Sequence, residues 1–475
     1  MEKMVHERLV YVIETNEQLR SSQYGFRIRR GTIDPIISLE HQIRVGLVKG
    51  KFTIVVFFDL KAAFDSVDHI VLLKTLAQLN IGGEMLTWII SFLSNRQIQV
   101  ILENKYSSKQ NINCGVPQGS ILSPILFIIL LSTLPQGILP VVSNELADDI
   151  AFSVTAKTME RAEMLMQDAI ERLEGWCNSV KLNINIQKTK VMCFTSKRLN
   201  TPSLKLNGED IEVVKKFKYL GMMLDAPYLT WEPHITMIIE KCTKNNNILR
   251  AIAGTKFGAD RDSILKINEA LNRSRIAYGC PAFLSASKTQ LNRLEVLQNT
   301  ALRIAIGAWR STRICNLQVE ANVVPITFYI QQQSISLYYK MKAKDPTHPV
   351  HTHIFNPNHR RNLVWTKLFK KPFAIQVESI LNSWNLSNNP MLETLLYPII
   401  PPWFNLGQLI EHDIVNPTNK SMGKEQNKQS VLETLRTKYH DYTHIYTDGS
   451  KSNDDKTGAA FFCSTKHYPL KLETP

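Results

Sequence analysis

The chain has 475 residues, enough for about three domains of ordinary size with a substantial core, which excludes a small disulfide-stapled module. Apolar residues make up 44% and charged residues 21%, values close to globular averages that argue against a disordered, collagen-like or coiled-coil chain. Lys and Arg number 56 against 42 Asp and Glu, and the net charge of +14 indicates a polyanionic partner, either a nucleic acid or a membrane surface.

The positive charge is concentrated in two stretches. Residues 181–220 hold nine basic and three acidic side chains, and residues 236–313 hold thirteen and five, so their surpluses of 6 and 8 equal the whole net charge. A basic face of this kind suits a phosphate backbone, because each neutralised phosphate releases condensed counterions. The alternative is a set of solvated helix faces without a ligand.

The cysteine pattern and the apolar runs bear on compartment and on membranes. Seven scattered cysteines form no CxxC pair and no zinc spacing, which is typical of thiols in a reducing compartment. Residues 1–14 mix acids with bases and lack the apolar core of a signal peptide. Residues 110–144 carry no charge, but their densest apolar run, Ile125–Leu131, is too short to span a bilayer and predicts a buried helix.

The first part of the chain predicts a strand, two helices, a second strand and a loop. FTIVVFF (52–58) is typical of a fully buried strand. Apolar residues at helical spacing follow over 70–79 and 85–93. IQVIL (98–102) predicts another strand, and GVPQGS (115–120) has the Gly and Pro of a loop.

The next segments predict a hairpin, a helix and two strands. Residues 140–154 have two apolar runs around an acidic centre, the pattern of a β-hairpin with Ala147, Asp148 and Asp149 at its bend. Apolar spacing predicts an amphipathic helix over 158–177. KVMCFT (190–195) and KYLGMML (218–224) predict strands. Together these elements indicate an α+β domain.

The rest of the chain changes character twice. Residues 231–344 have an almost wholly helical pattern with interleaved basic residues, which predicts a separate helical domain. Residues 345–440 are rich in Pro, Asn and His with weak periodicity, as expected of a loosely packed connector. Residues 441–475 return to a strand, turn, strand pattern.

Carboxylates stand at the ends of two predicted strands. Asp59 follows VVFF, and Asp148 and Asp149 occupy the hairpin bend. Strand ends of one sheet converge in space, and two or three carboxylates there make a hard oxygen site for Mg²⁺. Such a site clamps the attacking and leaving oxygens of phosphoryl transfer. Without further context, an Asp-Asp pair is more typical of a plain turn.

Seven ordered motifs supply that context, and together they resemble the successive motifs of a reverse transcriptase. They are QYGFRIRRGT (23–32), FFDLKAAFDSVDH (57–69), SFLSNRQIQV (91–100), GVPQGSILSPILF (115–127), LADDIAF (146–152), LNINIQKTKVMCF (182–194) and KYLG (218–221). The spelling of AFDSVDH and GVPQGSILSP is similar to that of non-LTR retrotransposon (LINE-type) polymerases of the jockey-like kind. With WEPHI, the basic helical region and YTDGSK, the resemblance covers nearly all of the chain.

The resemblance implies an α+β, right-hand polymerase fold. The expected parts are partial fingers (1–50), a palm (51–225), a helical thumb (226–344), a connector (345–440) and a fragment of an RNase H-like domain (441–475). The family's upstream Arg-Pro-Ile segment would precede Met1, so we expect a chain truncated at both ends. Leu146 stands where the family usually has Tyr or Phe, a mild departure.

Carried over residue by residue, the resemblance implies a two-metal polymerase site. Asp59 and Asp148 would be metal ligands with Asp149 as the second acid of the pair, and the carbonyl of Leu60 would complete the shell. The metal would be Mg²⁺, as two ions, with Mn²⁺ as an alternative. Lys188 would lie near the leaving pyrophosphate as a cation or general acid. On its own, a single Lys is more typical of a solvated surface.

The same resemblance implies a deoxynucleotide pocket. Phe64 would stand beneath the incoming sugar and exclude a ribose 2′-OH, although the local pattern alone favours a core position. Gln118 and Gly119 would line the pocket, where a glycine allows close backbone approach. Arg30 would face the triphosphate or the template, with simple surface charge as the alternative.

Further residues are expected to contact an RNA template and a DNA primer. They are Arg27 and Arg29 near the fingers, Tyr219, Leu220 and Gly221 at the primer end, and Lys241, Lys244, Arg250, Arg273 and Arg275 along the thumb. For the Tyr219 segment, the alternative is a plain hydrophobic strand. Asp448 resembles the first carboxylate of an RNase H site, but Asp454 and Asp455 are turn acids, so we predict no RNase H activity.

The leading hypothesis is an RNA-directed DNA polymerase that extends a primer 3′-OH with deoxynucleoside triphosphates in the nucleus, the site implied by the family. A second enzyme hypothesis is a relative of group II intron proteins or of RNA polymerases, which the detailed sequence of the motifs disfavours. A catalytically dead, nucleic-acid-binding remnant is the alternative from a different class. No membrane partner is predicted, and protein partners stay unassigned.

Overall fold

A computed structural model gives the fold of much of the chain. It describes residues 1–135, 141–198, 201–254, 258–344, 348–355 and 370–386, together with Glu433, Thr437 and the strand residues 445–451, 457–463 and 471–473. The chain divides into two compact units, Met1–Tyr397 and Pro398–Pro475.

A five-stranded sheet lies at the centre of the first unit. Its strands, in spatial order, are β11 (Glu212–Val213), β8 (Lys190–Phe194), β1 (Phe52–Phe58), β7 (Asp149–Ala156) and β6 (Val142–Leu146). The central strand β1 is antiparallel to both of its neighbours, with Phe58 opposite Ile150 on one side and Phe57 opposite Lys190 on the other. Strand β6 is the sheet's last strand on the β7 side.

Apolar layers cover both faces of this sheet, which explains why FTIVVFF has no polar alternation. Ile54, Val56 and Phe58 join one core cluster, whereas Val55 and Phe57 join the other. The first cluster includes helices α1 (Glu2–Thr15), α3 (His69–Gln78), α4 (Gly83–Leu93), α5 (Leu122–Leu131) and α6 (Met159–Val180). The second includes helix α2 (Ile33–Val48) and much of the helical region that follows the sheet.

The shorter strands form two-stranded ribbons outside the central sheet. They are β2 (Arg96–Ile98) with β5 (Gln110–Ile112), β3 (Ile101–Leu102) with β4 (Lys105–Tyr106), β9 (Lys205–Leu206) with β10 (Glu209–Asp210), and β12 (Lys216–Tyr219) with β13 (Met222–Asp225).

Helices dominate the chain from Trp231 to Lys344, as the sequence predicts for the described residues. They are α7 (Glu232–Ile252), α8 (Arg261–Asn268), a π-helical turn (Glu269–Arg273), α9 (Ser274–Ala277), a 3₁₀ turn (Ala282–Ser285), α10 (Lys288–Ile306), α11 (Ile314–Glu320) and α12 (Ile326–Lys342). Two further helices, α13 (Pro349–His353) and α14 (Phe373–Ser383), contribute Val350 and Phe373 to the second core cluster. No described helix is long and apolar enough to cross a membrane.

Several local predictions are confirmed, and two need correction. The buried strand 52–58, the buried apolar helix and the hairpin are all present. Helix α6 begins after Thr158, whose hydroxyl accepts a hydrogen bond from the Arg161 amide, and runs past 177 to Val180. KYLGMML is not one strand, because positive φ angles at Leu220 and Gly221 fold it into the β12–β13 hairpin. IQVIL is not one strand either, because Ile98 ends β2 and Ile101–Leu102 form β3.

The second unit contains a three-stranded antiparallel sheet. Its strands are β14 (Ile445–Lys451), β15 (Thr457–Cys463) and β16 (Lys471–Glu473). Asp448 lies in β14 and pairs through its backbone with Ala460. Asp454 and Asp455 lie outside the described residues. The borders at 50, 225 and 344 stay predictions, because residues 1–397 form one compact unit.

Candidate active site

The three predicted acids lie at one edge of the central sheet, where strand β1 ends and strand β7 begins. Asp59 follows β1, whose last pair with β7 is Phe58 with Ile150, so the same register continues to Asp59 beside Asp149. On the other side, the register that pairs Phe57 with Lys190 continues to Asp59 beside Lys188. The Lys188 ammonium lies 3.4 Å from the Asp59 carboxylate. Two long-range strand pairings therefore bring the Asp149 carboxylate and the Lys188 ammonium next to Asp59.

The β6–β7 hairpin presents the other two acids. Leu146 pairs with Asp149, so Ala147 and Asp148 form the two-residue turn, with Ala147 at a φ of +55°. Asp148 and Asp149 are both exposed, whereas Ala147 is buried beneath them. The tight turn thus holds both carboxylates at the solvent side of the sheet edge.

Electrostatics show that these acids act on one another. Loss of hydration, followed by the negative charges of Asp148 and Asp59, raises the pKa of Asp149 to about 6. Carboxylate oxygens are the ligands that Mg²⁺ prefers, so the donor set fits a hard divalent cation. Within the described residues, however, no three acidic, His or Cys side chains stand close enough to enclose one ion.

The LNIN segment supports the residues next to Asp59. The Asp59 carbonyl accepts a hydrogen bond of 2.7 Å from the Asn185 amide, and the Lys61 amide donates one of 2.8 Å to the Asn183 carbonyl. Leu60 lies between them, buried and bridged to Ile184. The sequence pattern of LNIN gave no indication of this role, because the pairing joins residues far apart in the chain.

A cleft of about 570 Å³ opens over this edge. Asp59 and Asp149 line it together with three cationic side chains, Lys188, Lys190 and Lys218. Lys190 is paired with Glu212 at 2.7 Å, whereas Lys188 is paired with Asp59 itself. The cleft therefore combines carboxylates that could hold a cation with ammonium groups that attract an anion.

The Tyr219–Gly221 segment borders the same cleft. Tyr219 is largely buried and packs on Phe57 with ring centroids 5.0 Å apart, and both residues contribute to the lining of the cleft. Leu220 and Gly221 form the turn of the β12–β13 hairpin. Tyr278, which the sequence did not single out, donates a hydrogen bond of 2.6 Å to the Leu220 carbonyl.

The predicted nucleotide-pocket residues lie around the GVPQGS loop. Phe64 is half-buried and stacks on Phe127 at 4.6 Å, and it does not line the cleft with Asp59. Gln118 donates to both oxygens of Asp65, at 3.0 and 3.1 Å. Gly119 has a φ of +93° and open space around it. The structure thus brings Phe64 and Gln118 to one loop region but does not bring Phe64 into the acidic cleft.

The three arginines of QYGFRIRRGT have different surroundings. The Arg27 side chain is largely covered and is paired with the Glu14 carboxylate. Arg30 donates to the Gln23 carbonyl at 3.0 Å, and burial, with the nearby Arg27, lowers its pKa to about 10. Arg29 is exposed and, with Arg30 and Lys340, lines a second cavity of about 550 Å³.

Four of the five predicted thumb cations are exposed, and Arg273 is half-buried. Lys241 and Lys244 project from α7 and are exposed. Arg250 donates to Asn247 at 2.6 Å, and Arg275 donates to the Leu271 carbonyl at 3.2 Å. Arg273 lies over the Tyr329 ring at 4.2 Å. Charge counting treats every cation alike, so it did not show that Arg250, Arg273 and Arg275 have local partners.

Comparison with known proteins identifies the domain that carries this site. Residues 1–224 match the family model described as reverse transcriptase (RNA-dependent DNA polymerase). Residues 1–224, just under half of the chain, are thus similar to the reverse transcriptase family. The matched residues include the whole central sheet and all three acids at its edge.

Curated relatives confirm the resemblance to LINE-type elements. The chain is 29% identical over 315 residues to the probable RNA-directed DNA polymerase from transposon BS of Drosophila melanogaster, covering 64% of this chain and 34% of the relative. It is 27% identical over 337 residues to the RNA-directed DNA polymerase from mobile element jockey of Drosophila funebris, covering 69% and 36%. The chain thus spans about a third of the length of these relatives.

A solved structure is also similar to part of the chain. The apo telomerase of Candida tropicalis truncated from its C-terminal domain aligns with a TM-score of 0.35 and 16% identity, over 48% of this chain and 44% of that one.

Proposed function

We propose that the chain is an RNA-directed DNA polymerase of a non-LTR retrotransposon, which extends a primer 3′-OH with deoxynucleotides. The observation that carries the proposal is the arrangement of Asp59, Asp148 and Asp149 at one sheet edge of a reverse transcriptase domain. Further support comes from the mutual effect of these acids, which raises the pKa of Asp149.

We propose that Asp59, Asp148 and Asp149 hold divalent cations, two Mg²⁺ ions or Mn²⁺ in their place. When bound, the ions would supply charge stabilisation to the oxygens of phosphoryl transfer. The hard carboxylate donors support this assignment. The backbone of Leu60 adjoins Asp59, and the LNIN pairing holds that backbone in place.

The chain's own residues would do the remaining work. The Lys188 ammonium lies 3.4 Å from the Asp59 carboxylate, and from there it is placed to stabilise negative charge on a departing pyrophosphate. Gln118 and Gly119, with Phe64 as sugar gate, are proposed to bind the nucleotide. The Leu220–Gly221 turn is proposed to position the primer end.

The polyanionic partners are proposed to be an RNA template and a DNA primer. Exposed cations support this: Lys241, Lys244 and Arg275 lie on the helical region, and Arg29 lies beside the second cavity. We propose a nuclear site of action, in line with the family.

Primer extension on an RNA template with Mg²⁺ tests the proposal. The wild type should incorporate deoxynucleotides, and Asp148→Asn should lose synthesis. Asp210→Asn is the matched control, because Asp210 is an exposed acid on β10, outside the cleft. RNA binding without synthesis by the wild type would refute the polymerase and favour the non-catalytic remnant.

A further inference from the structure

Residues 22–24, which precede the arginines of QYGFRIRRGT, lie along the outer side of β6, the first strand of the hairpin that carries Asp148 and Asp149. The Tyr24 amide donates a hydrogen bond of 2.7 Å to the Glu145 carbonyl, and the Glu145 amide donates one of 3.0 Å to the Ser22 carbonyl. Gln23 is bridged to Glu145 in parallel orientation. Because β6 is the sheet's last strand, this pairing satisfies backbone groups that would otherwise be open.

The Gln23 side chain reaches past the strand to the catalytic turn. Its Oε1 atom accepts hydrogen bonds from the Ala147 amide at 3.1 Å and from the Gly25 amide at 2.8 Å. Gln23 is only 1% exposed, so water does not compete for these amides. Ala147 directly precedes Asp148, and one amide oxygen therefore fixes the backbone from which the Asp pair projects.

Gly25 approaches the same turn from the other side. A Cβ atom at this position would lie 2.5 Å from the Ala147 nitrogen and 3.2 Å from the Leu146 carbonyl carbon. Both are backbone atoms, so neither can rotate away as a side chain would. Only glycine lets the segment and the turn pack at this distance.

The Glu145 side chain joins the segment to the hairpin. Its carboxylate is buried and accepts hydrogen bonds from Arg20 at 3.0 Å, from Ser22 at 3.0 Å and from Ser143. Arg20 also donates to the Leu134 and Pro135 carbonyls, just beyond α5. The segment is thus bonded both to the hairpin and to the residues that follow α5.

We propose that residues 20–25 form a hairpin clamp that sets the position of Asp148 and Asp149 relative to Asp59. Gln23 and Gly25 are its positioning residues: neither is a catalytic residue, and both act through Ala147. The inference rests on the proposed polymerase function and assigns to QYG a role separate from the arginines that follow it.

The clamp predicts a defect in the metal site with nucleic-acid binding retained. A misplacement of about 1 Å at a catalytic group can reduce turnover about 100-fold. Gly25→Ala should therefore lower kcat about 10- to 100-fold and weaken Mn²⁺ binding, while the KM for primer-template stays within about twofold. Gly31→Ala is the matched control, because Gly31 lies in the same QYGFRIRRGT motif but outside residues 20–25, lacks a positive φ and has nothing within 4 Å of its Cβ position.

A second pair of variants tests the hydrogen bonds without adding atoms at the turn. Gln23→Met removes the acceptor and should reproduce the Gly25→Ala defect. Gln18→Met is the matched control, because the Gln18 amide is half-buried and donates a hydrogen bond to the Leu79 carbonyl and not to the turn, so its rate should be unchanged. Hydrogen exchange of the peptide 142–150 gives a readout independent of activity, with a peptide from α6 as internal reference. Exchange of that hairpin peptide should accelerate in Gln23→Met and in Gly25→Ala, but not in Gly31→Ala.

The measurements are primer extension, Mn²⁺ binding by electron paramagnetic resonance and hydrogen exchange. Wild-type kcat, Mn²⁺ affinity and exchange in folded Gly25→Ala would overturn the clamp, as would equal defects in Gly31→Ala. If Gly25→Ala does not fold, Gln23→Met against Gln18→Met decides, and equal rates in the two variants would overturn the clamp. A wild type that makes no DNA would refute the proposed function, and hydrogen exchange with Mn²⁺ binding would still judge whether the clamp holds the turn.

Discussion

Removing one charge from the acidic edge should stabilise the metal-free protein while abolishing synthesis. Asp149 has a pKa raised to about 6 from 3.8, first by loss of hydration and then by repulsion from Asp148 and Asp59. At neutral pH the folded state must keep this carboxylate ionised against those forces. Asp149→Asn keeps the shape and removes the charge, so the free energy of unfolding should rise in EDTA.

The size of the gain follows from the two pKa values. A difference from 3.8 to about 6 corresponds to about 3 kcal/mol at about 1.4 kcal/mol per pH unit. Asp149 is exposed, and solvent screening reduces the expected gain to about 1 kcal/mol. The folded state binds the proton more tightly than the unfolded state, so wild-type stability falls as pH rises from about 4 to 6. The advantage of the Asp149→Asn variant is therefore absent below about pH 4 and complete above about pH 6.

Thermal unfolding in EDTA across pH 4 to 8 measures the difference. At pH 7.5 the variant should melt about 1–3 °C above the wild type, and the two curves should converge towards pH 4. Added Mg²⁺ should stabilise the wild type, because a ligand that binds only the folded state raises its stability, and should have less effect on the variant. A variant that melts below the wild type at pH 7.5, or a difference that does not change with pH, would refute the reasoning.

Three further substitutions test other parts of the site and its support. Phe64→Ala should raise ribonucleotide incorporation at least tenfold in primer extension if the ring is a sugar gate, since the clash with the 2′-OH is then lost. Tyr278→Phe removes the hydrogen bond to Leu220 and should raise the KM for primer-template about 2- to 10-fold, the equivalent of about 0.5–1.5 kcal/mol. Arg44→Ala leaves the buried Glu40 carboxylate without its partner and should lower the free energy of unfolding in urea by about 3–5 kcal/mol.

Each of these has a control in the chain. Phe92→Ala removes another half-buried ring, so equal ribonucleotide use by both variants would make Phe64 a core residue alone. Tyr339→Phe loses a similar hydroxyl-to-carbonyl bond, to Leu386, and should leave the KM unchanged. Arg172→Ala breaks an exposed pair with Asp168 and should lower the free energy of unfolding by less than about 1 kcal/mol. If Arg44→Ala lowers it by no more than Arg172→Ala does, the argument from the buried pair is wrong.

The sequence predicted those features that depend on local pattern. FTIVVFF has the composition of a strand covered on both faces, and β1 is covered on both faces. The acidic bend of the 140–154 hairpin was readable because apolar runs flank it on both sides. The convergence of Asp59 with that bend followed from placing both at strand ends, and the register supports it.

Features that depend on distant partners were not readable. Arg27 looked like a cation for nucleic acid, but Glu14 on α1 pairs with it in the interior. Tyr219 is predicted at the primer end, and the sequence did not show that its ring packs on Phe57 of β1. KYLGMML has the composition of one strand, and only the turn held by Tyr278 shows that it folds back. Charge and hydropathy describe a residue, whereas these outcomes depend on what stands opposite it.

The central position of β1 has a consequence for synthesis on the ribosome. When Phe58 leaves the exit tunnel, neither neighbour of its strand has been translated: β7 ends at Ala156 and β8 at Phe194. Until β7 and β8 have emerged, the nascent chain exposes FTIVVFF, an apolar strand of the kind that aggregates when unpaired. We therefore expect the nascent chain to need a chaperone until Phe194 has emerged, and any product released earlier to carry Asp59 without a folded site.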